Sequence, residues 1–339
     1  SALLLEWFSL LVTRYQSSFT MQQFRLPRLT VPTFTPMTPD GELDLDKIPA
    51  YARLLSQSGV RSVFVCGSTG EFPSLSLDER RRVLEAWCQA RADGLIDTVT
   101  AHVGTCCLKD TILLARHAVQ KCNADAVASV APWYFPIDQI DATVELLAKV
   151  AAECDGKPFY YYHIPMFTNS KLDVAQLMRR AAALVPNLVG LKFTDSSLSQ
   201  LAACSEVVAP DGRQMQAIIG LDDLTLPARS VGVLDGIGAS YNLIPDVVNS
   251  LANSFDSGNL STARSESSRI RSLFEAISSA VEGYGMVSLL KTTMSLMRMD
   301  LGPPRLPLKP LNSPARIILE QRLKFDGFLA RDEAQEKLA

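Results

Sequence analysis

Histidine is scarce in this chain. His102, His117 and His163 are the only three in 339 residues, too few for a His-rich metal site. The seven cysteines are odd in number and scattered. Cys106 adjoins Cys107, and no pair shows Cys-x-x-Cys or other zinc-ligand spacing, so no metal site is expected. A chain of this length can bury a core without disulfide or metal staples, and reduced thiols in a cytoplasmic protein are the simplest expectation. Basic charge is not in excess either. The 33 Lys and Arg against 36 Asp and Glu give a net charge of −3, with no footprint for nucleic acid or an anionic membrane. No apolar run reaches the length of a membrane span. The apolar residues within 3–12 come nearest, and they lack the basic flank and cleavage site of a signal peptide. Met21 is a candidate original start, and residues 1–28 are set aside as an N-terminal extension of unassigned role.

What is present is an ordinary globular composition, 47% apolar and 20% charged, arranged in a regular alternation. Short apolar, β-branched runs occur at 29–35, 62–66, 98–102, 126–130, 159–163, 188–193, 215–219 and 235–239. Amphipathic stretches at 45–57, 78–92, 110–121, 142–153 and 174–184 lie between them. Eight strands in β-then-α order, each apolar on both faces, predict a parallel sheet. The first strand is not followed by a phosphate-binding glycine fingerprint, which argues against a doubly wound sheet. The expectation is an α/β fold, a (β/α)8 TIM barrel over 29–241. Additional C-terminal helices over 242–339 form an appendage of the same domain, interrupted at Ser257-Gly258 and Gly302-Pro303-Pro304.

In such a barrel the chemistry sits at the C-terminal ends of the strands. Strand six ends Gly190-Leu191-Lys192-Phe193-Thr194-Asp195. A lysine in an apolar strand is costly unless paired or neutral, and a neutral amine is what Schiff-base chemistry requires. The alternative is a buried stem whose head reaches solvent or Asp195. Strand five reads Phe159-Tyr160-Tyr161-Tyr162-His163-Ile164-Pro165, in which alternation sends Tyr160 and Tyr162 to one side. A phenol at the strand end can relay protons beside an imine, although structural tyrosines in strands are common. His163 has no partner nearby in sequence and reads as a packed or hydrogen-bonding residue. Strand two is followed by Gly67-Ser68-Thr69-Gly70-Glu71, where backbone N–H groups can hold a carboxylate, or where Ser68 and Thr69 merely cap a helix. Gly220-Leu221-Asp222-Asp223 follows strand seven, and Gly236-Ile237-Gly238-Ala239-Ser240-Tyr241 follows strand eight. The paired carboxylates suit sugar hydroxyls or an N-cap equally. Together, an anion loop, a tyrosine, a lysine and carboxylates fall at strand ends two, five, six and seven.

On these motifs the chain, from about residue 29 to 330, resembles the N-acetylneuraminate lyase and dihydrodipicolinate synthase family of pyruvate aldolases. The carrying residues are Gly67-Ser68-Thr69-Gly70-Glu71, Tyr162-x-Ile164-Pro165 and Gly190-Leu191-Lys192-x-Thr194. The resemblance implies that Lys192 forms an imine with the substrate's C2. It further implies that Ser68 and Thr69 bind the pyruvate carboxylate, that Tyr162 is the general acid/base, and that Thr194 supports the reacting hydroxyl. Tyr134 stands where the family sends a tyrosine into a neighbouring subunit to complete a Tyr–Ser–Tyr relay, which implies an oligomer, commonly a homotetramer. No metal or organic cofactor is implied. Phe167 occupies the position at which lysine-pathway synthases place arginine, and Tyr162-His163-Ile164-Pro165 resembles animal sialic acid lyases. Asp222 matches a residue that binds the substrate's glycerol tail, with Gly220, Asp223, Gly238 and Ala239 completing the far end. Two positions depart from the lyase pattern: Asp223 replaces a usual glutamate, and Ala239 replaces a serine. The expected reaction is reversible cleavage of N-acetylneuraminate to N-acetylmannosamine and pyruvate. The alternatives are a 2-keto-3-deoxy sugar acid aldolase and a non-catalytic sugar-acid-binding homologue.

Overall fold

The computed structural model describes residues 24–330. The short apolar stretch near the N-terminus, Met21 and the last nine residues of the expected helical appendage lie outside the described residues. Eight parallel strands close into one barrel in sequence order: β1 (Leu29–Pro32), β2 (Ser62–Val65), β3 (Thr98–His102), β4 (Ala126–Val130), β5 (Phe159–His163), β6 (Leu188–Phe193), β7 (Gln216–Ile219) and β8 (Asp235–Ile237). An outer ring follows: α1 (Ile48–Gln57), α2 (Leu77–Ala92), α3 (Leu108–Gln120), α4 (Ile140–Ala151), α5 (Val174–Leu184), α6 (Leu198–Ser205), α7 (Thr225–Ser230) and α8 (Pro245–Asp256). Three further helices, α9 (Leu260–Ala280), α10 (Met286–Met297) and α11 (Ser313–Phe325), pack on it, as the (β/α)8 barrel expectation with C-terminal helices required. Among the described residues, no helix is long and apolar enough to cross a membrane.

Local chemistry explains the helix starts. Ser76 caps α2 by accepting from the Glu79 N–H, while the Glu79 side chain reaches back to the Ser76 N–H, a complete capping box. Asp173, Ser197, Asn259 and Asn312 each accept a first-turn N–H of α5, α6, α9 and α11. The strands are buried along almost their whole length because helices cover them outside and side chains fill the barrel inside.

Four strands are shorter than their apolar runs; β7 begins at Gln216 and not Met215, whose N–H donates to the Val207 carbonyl at 2.9 Å. The sequence predicts β1 to Thr35, and it stops at Pro32. Beyond it, Thr35 Oγ1 turns to donate to Gly70 O at 2.7 Å. The run at 62–66 loses Cys66, which takes a left-handed φ of 56° that no strand accommodates. The run at 235–239 ends at Ile237, because residues 239–242 tighten into a 3-10 turn.

The barrel floor is polar. Tyr160 Oη donates to Gln216 Oε1 at 2.6 Å, and Thr30 Oγ1 and Ser62 Oγ lie 2.9 Å apart. Leu26 closes it from below: its N–H donates to Gln216 Oε1 at 2.9 Å, and its carbonyl accepts from Gln216 Nε2 at 2.9 Å. The chain therefore engages the barrel three residues before the sequence expectation starts it.

One irregularity sets the orientation of the upper half of β6. Phe159 pairs with Leu188 while Tyr160 pairs with Gly190, so Val189 is an extra residue in the ladder. Above it Tyr162 pairs with Lys192, and residues in register on adjacent parallel strands share a face. Glycine at 190 is required for close approach, since a Cβ there would overlap the Gln216 carbonyl on β7.

Candidate active site

Lys192 is 4% exposed, and its Nζ lies 4.6 Å from the centre of the Phe64 ring and 4.4 Å from that of Tyr162. Among the described residues no carboxylate pairs with it, so the Asp195 alternative raised from the sequence is not adopted. Asp195 instead accepts from the Ser196 N–H at 2.5 Å and stands 3.9 Å from His163. The aromatic faces attract an ammonium through their quadrupoles without neutralising it by a proton acceptor.

Tyr162 Oη and Ser68 Oγ lie 3.3 Å apart, linking the end of β5 to the loop after β2. That loop is a tight turn, with Gly70 N donating to Gly67 O and Glu71 N to Ser68 O, each at 3.0 Å. No acceptor among the described residues takes the N–H of Ser68 or Thr69, so both remain for an anion. Glu71 holds the loop from behind, at a left-handed φ of 59°. Its carboxylate meets Lys291 Nζ from α10 at 2.8 Å, fully buried, and accepts from the Arg305 N–H at 2.8 Å. Lys291 also donates to the carbonyls of Thr35 and Pro303, at 2.8 and 2.9 Å. Burial pulls the Lys291 ammonium below its ordinary range, and the Glu71 carboxylate opposes that shift.

Thr194 follows Lys192 by two residues, and its Oγ1 is buried with no hydrogen-bond partner. Gly220 leaves the space for it: a Cβ there would overlap Thr194 Oγ1 and come within 3.2 Å of Lys192 Cε. At the β7–β8 edge, Asp222 Oδ1 accepts from the Ser240 N–H at 2.8 Å and from the Ser240 hydroxyl, while Oδ2 accepts from the Ala239 N–H at 3.1 Å. Gly238 permits this, because a Cβ there would overlap Asp222 Oδ1. Burial raises the Asp222 carboxyl and the bonds from Ser240 lower it, leaving a net upward shift. Strand alternation would turn Ser240 away, but the strand has already ended, and its hydroxyl points to Asp222.

The structure thus brings Lys192, Tyr162, Ser68, Thr194 and Gly220 around one mouth, with Asp222, Gly238 and Ala239 clustered at the β7–β8 edge. Thr69 is half-buried on the anion loop. Asp223 is exposed. Tyr134 is 76% exposed, stacked edge-on against the equally exposed Phe135, and hydrogen-bonds none of the others among the described residues. His163 is buried on the helix side of β5, tilted against Phe193. Burial pushes it down to about 4 against the pull of Asp195, so it is a neutral, packed ring at pH 7.

Three contributors were not foreseen. Phe64 supplies one wall of the lysine site. His102 lies edge-on to Tyr162, its Nδ1 2.7 Å from Cys66 O, and burial holds it well below the usual histidine range. Lys291 fixes the anion loop from a helix 220 residues away in sequence. A lysine within the apolar helix Met286–Met297 was a signal of the same kind as Lys192.

With this geometry in hand, comparison with known proteins is informative. The sequence profile of the Dihydrodipicolinate synthetase family matches residues 25–325. The chain belongs to this family. It is 35% identical to the N-acetylneuraminate lyase of Rattus norvegicus over 308 residues, covering 90% of this chain and 94% of that protein. The corresponding lyase of Danio rerio is 34% identical over 289 residues, covering 84% and 92%. Among solved structures, the Proteus mirabilis N-acetylneuraminate lyase superposes with a TM-score of 0.83 at 29% identity, covering 90% of this chain and all of that one. The Aliivibrio salmonicida sialic acid aldolase gives the same TM-score at 28% identity, covering 90% and 98%. The chain is a carbon–carbon lyase, and the family is one of Schiff-base aldolases that bind pyruvate through a lysine.

Proposed function

We propose that this enzyme cleaves N-acetylneuraminate reversibly to N-acetylmannosamine and pyruvate through an imine on Lys192. The observation that carries the reading is a buried amine between two aromatic rings, beside a Tyr162–Ser68 hydrogen bond at the barrel mouth. The Lys192 amine attacks the C2 carbonyl and water leaves. Tyr162 takes the C4 hydroxyl proton as the C3–C4 bond breaks, and the electron pair moves into the protonated imine, which becomes an enamine on the Lys192 nitrogen. Protonation at C3 and hydrolysis of the imine release pyruvate. Ser68 and Thr69 hold the substrate carboxylate, and the unpartnered Thr194 hydroxyl supports the reacting oxygen. Asp222 Oδ2 accepts a single bond from protein and keeps a lone pair for the glycerol tail, with Asp223, Gly238 and Ala239 beside it. This chemistry draws on no metal and no organic cofactor.

We take the working assembly to be a homotetramer in which Tyr134 crosses to a neighbouring site. Tyr134 and Phe135 on the loop after β4, and Met166 and Phe167 on the short helix Pro165–Thr168 after β5, are 60–79% exposed, an apolar surface that a partner would cover. The unpaired cysteines suit the reducing cytoplasm. We place the helices after 241 in the barrel's own domain, because Lys291 reaches Glu71.

Borohydride reduction in the presence of pyruvate is expected to add a three-carbon group to Lys192, read by peptide mass spectrometry; an unmodified lysine would sink the proposal. A second substrate reading, a 2-keto-3-deoxy sugar acid, is favoured by Ala239, which has no hydroxyl, and by Ser240, whose hydroxyl is spent on Asp222. Faster cleavage of 2-keto-3-deoxygluconate than of N-acetylneuraminate would select it.

A further inference from the structure

The outer ring carries a second cluster of chemistry-bearing side chains, away from the barrel mouth. Glu85 on α2, His117 on α3 and Cys122 in the turn after α3 converge so that one ligand atom from each lies within 4.8 Å of the others. His117 Nε2 is 2.7 Å from Glu85 Oε1, and Cys122 Sγ lies beside the same ring, 3.7 Å from Nδ1 and 4.0 Å from Nε2. We propose that this trio binds a borderline-soft divalent cation, Zn²⁺ in the first instance, in a site clamping α2 to α3.

The separations suit such an ion. Tetrahedral zinc with its usual bond lengths sets N···O at about 3.3 Å and N···S at about 3.5 Å. The N···O pair must open and the Nε2···Sγ pair close by roughly half an ångström each, and the O···S pair, which lies within 4.8 Å, must close by up to about 1.3 Å through the exposed glutamate's rotamers. Donor chemistry selects the metal. One thiolate, one imidazole and one carboxylate match zinc and disfavour magnesium and calcium, which require all-oxygen shells. Glu85 is more than half exposed while His117 and Cys122 are largely buried, so the fourth position opens to water. On uptake, Cys122 gives its thiol proton to solvent and the sulfur donates its electron pair. His117 presents Nε2 as a lone pair with its proton held on Nδ1, and the Glu85 carboxylate exchanges a hydrogen bond for a metal bond. The Cys88 thiol lies three residues along α2 from Glu85, on the same side as Cys122. Sequence spacing does not reveal this site, because Glu85 on α2 lies 32 residues before His117, and His117 and Cys122 alone do not show a metal-ligand spacing.

The test is titration of the full chain, kept reduced with a phosphine, with Co²⁺ as a spectroscopic stand-in for zinc. One equivalent should produce tetrahedral ligand-field bands and a thiolate-to-cobalt charge-transfer band, both displaced by Zn²⁺. C122S should abolish the charge-transfer band. E85A, a change at an exposed position that leaves the fold intact, should weaken binding by at least about tenfold. The variant C106S/C107S, which removes the exposed thiol pair, should bind as the parent does. A charge-transfer band lost only in C106S/C107S, no band at all, or a Cys88–Cys122 disulfide formed in preference to metal uptake on withdrawal of the phosphine would each overturn the proposal.

Discussion

Lys192 and Lys291 are both buried amines, and their surroundings differ in every respect that matters for reactivity. Lys291 has its three donors taken by the Glu71 carboxylate and two carbonyls, so its proton count and position are fixed. Lys192 faces two aromatic rings, and among the described residues no carboxylate pairs with it. A saturated ammonium is a structural bolt, whereas an amine held only by ring faces can give up its proton and attack a carbonyl. Burial alone identifies neither role; the inventory of acceptors around the nitrogen does.

The comparison breaks if the two residues can exchange consequences. K192R should lower turnover by about 10⁴-fold or more and abolish borohydride trapping while leaving the unfolding midpoint near that of the parent. K291M should do the reverse. It strands a buried carboxylate at Glu71 and should destabilise by about 3–5 kcal/mol in urea unfolding at fixed protein concentration. The double variant E71Q/K291M should recover most of that loss, because a neutral amide no longer needs a cation.

A third expectation concerns acid. His163 is held near 4, below the value of about 6.5 in an unfolded chain. Stability from this group is therefore complete above pH 6.5, declines as pH falls toward 4, and changes little below that. The upper bound is about 3 kcal/mol. His102, shifted the same way, adds to the slope. H163N should flatten its share of the acid limb in pH-dependent unfolding without altering imine trapping; an unchanged slope would show that this ring is not held neutral. Smallest of all, F64L removes one of the two ring faces that favour the ammonium over the nucleophilic amine and should speed trapping by about two- to tenfold at neutral pH, in line with a cation–π contribution of about 0.5–1.5 kcal/mol.

The strand order and the outer helices were legible because apolar runs and 3.6-residue periodicity are local properties. Strand ends were less so. The runs at 29–35 and 235–239 remain apolar past the point where long-range bonds, from Thr35 to Gly70 and from the 239–240 N–H groups to Asp222, pull the backbone out of the sheet. In the site, Lys192, Tyr162 and Ser68 were legible because a lysine in an apolar strand and a Gly-flanked hydroxyl pair are unusual on their face. Phe64 was not, since a phenylalanine in a strand looks the same whether it packs core or faces an amine. The Glu71–Lys291 pair joins two segments 220 residues apart, and no local pattern encodes it. Asp222 was read as a ligand for sugar hydroxyls or a helix cap, and most of its acceptor capacity is spent tying down the loop after β8.

The extra residue at Val189 bears on any attempt to graft this chemistry elsewhere. Leu188 and Lys192 are four residues apart, a spacing that in an unbroken strand puts both on one face. The single skip throws them onto opposite faces; ironed flat, the strand would set Lys192 across from His163, aimed among the helices instead of into the barrel. A designer moving the strand into another scaffold must therefore count its phase downward from the mouth, where Tyr162 and Lys192 agree, and never upward from the floor.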